Sequence, residues 1–166
     1  IAFGGRVLGD TKPKYINSSD TPVFKKTKNL FCLNFAKSEL NGRLILAEGY
    51  MDVIAMYQAG FHNVVATLGT ALTQEQSRII SGYVDEVILS YDSDEAGQKA
   101  TKRAVGLLSA EGVKTKVLTI EGAKDPDEYI KKFGATRFKL LLDGSSSATD
   151  YELEKLKEVH DIETAE

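Results

Sequence analysis

Short, almost unbroken apolar runs alternate with helix-period segments from residue 43 onward. RLILA at 43–47, NVVAT at 63–67, EVILS at 86–90 and KVLTI at 116–120 have the character of strands covered on both faces. Between them, MDVIAMYQAG runs to a stop at Gly60, and TQEQSRIISG opens on a Thr73 cap and closes at Gly82. SDEAGQKATKRAVGLLSAEG runs from a Ser93 or Asp94 cap to Gly112. This succession predicts an α/β fold, a parallel four-stranded sheet flanked by helices and joined by right-handed crossovers. After the fourth strand, Pro126 suits the first turn of a short helix in EGAKDPDEYIKKFG. The helical segments ATRFKLLLDG and ATDYELEKLKEVHDIETAE follow, with SSS between them.

The first forty residues read differently. FGGRVLG and PKYIN are strand-like pieces broken by Gly4, Gly5, Gly9, Pro13 and Pro22, with no helix before about residue 28. They form a small, irregular α+β region whose partner strands are expected upstream. The chain begins without Met on a strand-like segment, which suggests a piece of a longer protein.

Charge divides the chain at the same place. Residues 1–37 hold seven Lys and Arg against two Asp, whereas residues 38–166 hold fourteen against twenty-two Asp and Glu. A basic segment joined to an acidic one suits a protein that holds a polyanion with one part and metal ions with the other; solvated charged faces are the plainer alternative. The lone Cys32, among apolar neighbours, reads as a small core residue. His62 and His160 lie too far apart, and without Cys or His at ligand spacing, to suggest zinc. No apolar run approaches a membrane span, so a cytoplasmic protein is expected, with no membrane partner.

In a parallel sheet, residues just past the carboxyl ends of the strands gather along one edge, where such folds bind ligands. Acids recur there: Glu48 and Asp52 after the first strand, Asp92 and Asp94 after the third, Asp125 and Asp127 after the fourth. Taken singly, Asp94 reads as a helix cap, Asp125 as a turn former and Asp127 as a first-turn acid. Glu48, ending an apolar run at a buried edge and followed by Gly49, has no capping task. Two negative charges about 4 Å apart repel by about 4 kcal/mol at an effective dielectric near 20. Such an edge calls for a cation, and hard oxygen ligands without His or Cys select Mg2+ or Mn2+.

EGYMDVIAMYQAGFHNVVATLGTALT together with ILSYDSDEAGQKA resembles the Toprim domain, and IAFGGRVLG with PKYINSSDTPVFKK resembles the polymerase domain of bacterial DnaG-type primases. The resemblance implies residues 1–37 as the basic N-terminal part of a primase polymerase domain, 38–134 as the Toprim catalytic domain and 135–166 as the start of a C-terminal helical subdomain. It implies Glu48 as the acid/base group, with Asp92 and Asp94 also catalytic, and a metal set of Glu48, Asp52, Asp92, Asp94, Asp125 and Asp127. Arg6, Lys14, Tyr15, Asn17, Lys26 and Tyr50 fall where primases hold nucleotide phosphates and template. Gly49 and Gly97 match glycines of the two motifs, whereas Ser19 and Asp20 depart from a Pro-Glu pair common in relatives.

The activity so implied is Mg2+- or Mn2+-dependent synthesis of short RNA primers from ribonucleoside triphosphates on a single-stranded DNA template, by a monomer. The resemblance further implies, outside these residues, a Zn2+-binding domain and a domain contacting the replicative helicase, and a fragment with little activity of its own. Toprim-type strand cleavage, as in topoisomerases and nucleases, is the alternative enzyme reading, and a degenerate binding module the non-enzymatic one. The FGGRVLG and PKYIN segment speaks against the first, and the intact acidic set against the second.

Overall fold

The computed structural model describes residues 1–9, 12–13 and 15–160. β1 (Gly4–Arg6) and β2 (Tyr15–Asn17) form an antiparallel pair, with Gly5 opposite Ile16. A 3-10 turn at Lys26–Lys28 and the four-residue α1 (Leu33–Ala36) lead into the main body. Neither is signalled by apolar periodicity, because each is a single turn. Cys32 precedes α1 with φ of 70° and is half-buried against the core, rather than fully inside it as its neighbours suggest.

The main sheet is built from β3 (Arg43–Ala47), β4 (Val64–Ala66), β5 (Glu86–Ser90), β6 (Lys114–Val117) and β7 (Ser146–Ser147), in the order β4-β3-β5-β6-β7. The first four are parallel, as expected. Two features correct the sequence reading. The SSS stretch, polar enough to read as a loop, supplies the short antiparallel β7 against β6, so the sheet has five strands and is mixed. The fourth strand also lies two residues earlier than KVLTI, because register with β5 sets Lys114 opposite Glu86 and brings Lys116 Nζ within 3.4 Å of that carboxylate. Leu118 and Ile120 remain buried just beyond its end.

Alternation along the strands divides the core in two. Leu44, Leu46, Val65, Val87, Leu89 and Val117 face α3 (Gln74–Ser81) and α4 (Glu95–Ala110). Ile45, Ala47, Val64, Ala66 and Ile88 face α2 (Tyr50–Gln58), α5 (Pro126–Phe133) and α6 (Ala135–Asp143). Phe138 of α6, fully buried, meets Phe61 edge-on at 5.1 Å between ring centroids. α7 (Ala148–His160) closes the described chain and rests Tyr151 on the first core. No helix among the described residues is long and apolar enough to cross a membrane.

The basic segment is tied to this body by a buried amide. Gln76 completes a capping box with Thr73, and its Nε2 also donates to the carbonyls of Lys26 (3.0 Å) and Asn29 (2.7 Å). Fully buried, Gln76 would lose several hydrogen bonds if removed, so the 26–29 segment is fixed on α3 rather than trailing in solvent.

Candidate active site at the carboxyl edge of the sheet

β3 ends at Ala47, and the next residues turn directly into α2, with Gly49 as a cap that has no side chain to offer. Asp52, in the first turn, leans back as its sequence position suggests: a Cβ on Gly49 would lie 3.1 Å from Asp52 Oδ2. At the end of β5 the chain doubles over the start of α4. Asp94 caps that helix, accepting from the Gly97 N–H at 2.8 Å, and a Cβ on Gly97 would sit 2.0 Å from the Asp92 carbonyl oxygen. The close approach that sets the Asp92 loop therefore requires glycine. Glu48 Oε2 accepts from the Asp92 N–H at 3.2 Å and joins the two strand ends. Beyond β6, Asp125 caps α5 through the Glu128 N–H at 2.8 Å, and Asp127 pairs with Lys131 at 2.6 Å.

These ends open on a cleft of about 700 Å³ lined by Glu48, Asp52, Asp92, Asp125 and Asp127, together with Arg6, Tyr15 and Asn17 from the basic segment and Tyr50 at the start of α2. The fold thus brings five of the six acids named from the sequence into one cavity with four of the six basic or polar residues. Asp94 lies outside the lining, occupied as a cap. Lys26 is also outside it, on the 3-10 turn, where its N–H donates to Asp20 at 3.1 Å. Lys14 lies outside the described residues. Glu48 is exposed rather than at a buried edge, because it stands one residue past the covered strand; Asp52 is the more enclosed carboxylate.

Burial, then the charges of Asp125 and Asp92, push Asp52 up to about 7, against the opposing hydrogen bond from the Gly49 backbone. Asp92 is pushed up to about 6 by burial, then by Glu48, Asp125 and Asp94, while Lys124 acts the other way. Tyr91, buried beside them, is raised by desolvation and by Glu48. Clustered acids that resist ionisation, all with oxygen donors, suit a hard divalent cation. Among the described residues no three His, Cys, Asp or Glu side chains form a ready-made cage. The fit is therefore to an ion such as Mg2+, which keeps much of its water and takes one or two carboxylates plus phosphate oxygens.

Sequence reasoning missed two parts of the cleft. Thr67, Gly69, Thr70 and Ala71, after β4, form one wall without any charged residue to announce it. Lys124 lines the acidic edge, its Nζ 3.8 Å from Asp125 Oδ2. The signal for Lys124 was its place immediately before DPD.

Residues 45–130, more than half of the chain, match the Toprim-like family. The chain belongs to that family. Residues 1–37 match the N-terminal domain of the DNA primase catalytic core, which places the chain with the bacterial DnaG-type primases. It is 45% identical over 167 aligned positions to the DNA primase of Clostridium acetobutylicum, covering 100% of this chain and 28% of that protein. Among solved structures it resembles the Aquifex aeolicus primase (zinc-binding and RNA polymerase domains), with a TM-score of 0.87 and 43% identity over 95% of this chain and 40% of that one. It is similar also to a DnaG primase catalytic domain bound to single-stranded DNA, with a TM-score of 0.85 and 33% identity over 94% of this chain and 51% of that one. The chain thus spans well under two thirds of the length of these relatives.

Proposed function

We propose that this chain carries the polymerising centre of a DNA primase, a metal-dependent nucleotidyltransferase that makes short RNA primers on single-stranded DNA from ribonucleoside triphosphates. One observation carries the reading: the hairpin residues Arg6 and Tyr15 open onto the same cleft as Glu48, Asp52, Asp92, Asp125 and Asp127. An acidic edge alone suits any Toprim chemistry, whereas an acidic edge facing phosphate- and base-binding groups suits a polymerase. The similarity to a relative bound to single-stranded DNA supports the choice of template.

In this reading Asp92 and Asp52, with Asp125 and Asp127 beside them, would hold one or two Mg2+ ions, and Asp94 contributes by fixing the loop that presents Asp92. Such an ion, when bound, would lower the pKa of the attacking 3′-hydroxyl and neutralise charge growing on the transferred phosphate. Glu48, with Oε2 held by the Asp92 N–H, is left with Oε1 to take the hydroxyl proton. Arg6 pairs with phosphate oxygens, and Tyr15, which carries the Arg6 guanidinium 5.8 Å above its ring centroid, offers a face for a base or ribose. Residues 1–37, 38–134 and 135–166 are the corresponding basic, Toprim and helical parts. The replicative helicase is a proposed partner of the whole protein.

The test is Glu48→Gln in the full-length protein. Primer synthesis is expected to be abolished with the fold and DNA affinity retained; a wild-type rate would remove Glu48 from the chemistry. Mg2+-dependent nicking of DNA without primer synthesis by the unmodified protein would replace polymerisation with strand cleavage.

A further inference from the structure

Among the described residues that line the cleft, five are carboxylates and two, Arg6 and Lys124, are cations. Lys124 is held through its backbone. Its backbone N–H donates to Glu128 Oε2 at 3.1 Å, and Glu128 in turn donates its own N–H to Asp125 at 2.8 Å. Lys132 Nζ steadies the same loop by donating to the Gly122 carbonyl at 3.0 Å. The backbone at residue 124 is thus pinned from both sides. The side chain is not: it is 78% exposed, against 24% for Asp125, and its Nζ stands 3.8 Å from Asp125 Oδ2, beyond hydrogen-bond distance. The neighbouring Lys131–Asp127 pair, at 2.6 Å, is by contrast a direct hydrogen-bonded contact. A loosely engaged ammonium on a rigid base, beside a carboxylate fixed as a cap, is free to exchange one anionic partner for another.

We propose that Lys124 is a resident cation of the cleft with two alternating partners: the Asp125 carboxylate while no divalent ion is held, and a phosphate oxygen of the incoming polyphosphate once one is. The inference rests on the polymerase reading for the ion and the ligand class, but assigns a role to a residue that reading does not use. Lys124 and a divalent cation compete for the same negative edge, so loss of the ammonium strengthens metal binding. Lys124 and the ion act together on a polyphosphate, so the same loss weakens phosphate binding. A merely structural role would move both in one direction.

The test uses the full-length protein with Mn2+ and inorganic tripolyphosphate as probes, free Mn2+ being followed by electron paramagnetic resonance and tripolyphosphate binding by calorimetry at saturating Mn2+. Lys124→Gln is expected to tighten Mn2+ binding and weaken tripolyphosphate binding, each by roughly two- to fivefold, the range for an exposed charge pair. Lys124→Arg, which keeps the charge, restores both towards wild type. Unchanged affinities in Lys124→Gln, or a change of both in the same direction, overturn the proposal while wild-type Mn2+ binding leaves the polymerase reading standing. Failure of the unmodified chain to take up Mn2+ overturns both.

Discussion

Tyr50 donates its hydroxyl to Asn17 Oδ1 at 2.6 Å, and Asn17 passes the link on by donating Nδ2 to the Leu68 carbonyl at 3.2 Å. Three walls of the cleft are joined through one amide: the hairpin, the start of α2 and the loop after β4. The Tyr50 ring also packs on Phe31 (4.8 Å) and edge-on to Tyr15 (5.9 Å). A two-stranded pair such as β1–β2 is marginal alone, so these contacts decide where Arg6 and Tyr15 stand. Tyr50→Phe keeps the ring contacts and removes the hydrogen bond, with an expected loss of about 1 kcal/mol in denaturant unfolding. Amide exchange at residues 15–17 should quicken alongside. Asn17→Ala should cost more, and a double-mutant cycle should return a coupling of about 0.5–1.5 kcal/mol. Additive single effects would show that the hydroxyl and the amide do not act together.

The two glycines of α4 that lie in helical backbone face opposite demands. At Gly97 an added Cβ would meet the Asp92 carbonyl oxygen at 2.0 Å, while at Gly106 it would meet nothing within 4 Å. Gly106→Ala is therefore expected to stabilise the chain by about 0.5–1 kcal/mol through helix propensity and a less free unfolded state. Gly97→Ala must push the Asp92 loop off the helix, with an expected loss of about 1–3 kcal/mol and weaker Mn2+ binding. Thermal unfolding of the two variants side by side checks this, and equal effects at both positions would mean that the loop yields freely.

The legible parts of the fold were those governed by period and punctuation. β3 and β5 lie where RLILA and EVILS place them, and Thr73, Pro126 and Gly60 mark helix ends as expected, because a cap or a positive φ is a local demand. β6 was misplaced because its position depends on a partner: the Glu86 carboxylate between Arg43 and Lys116 rewards a register that puts lysines in a strand. β7 was missed for the same reason, as two serines become a strand only where an edge is there to receive them. Convergence of the acids followed from parallel topology alone. What sequence could not order was their burial: Asp52 is enclosed while Glu48 reaches solvent, a difference made by the packing of α2 against α5.

That difference gives the cleft a pH dependence whose sign can be stated. Asp52, raised to about 7, and Asp92, raised to about 6, hold protons in the folded chain that they would already have released when unfolded, near pH 4. Between those limits the folded state binds more protons than the unfolded one, so this contribution to stability is present in acid and is lost as pH rises from about 4 to about 7. The two carboxyls repel one another and titrate as a coupled set, so the loss is gradual. Asp52→Asn removes the larger share without removing the side chain. Measured in chelator, the melting temperature of Asp52→Asn minus that of wild type should be near zero at pH 4 and should grow to several degrees above pH 7, on the order of 1–3 kcal/mol. Mg2+ should act in the opposite sense, raising the wild-type melting temperature more at pH 8 than at pH 5, since the ion must displace those protons to bind. A difference between variant and wild type that stays flat across the interval would show that Asp52 is ionised throughout, and that the cleft is less enclosed than its geometry indicates.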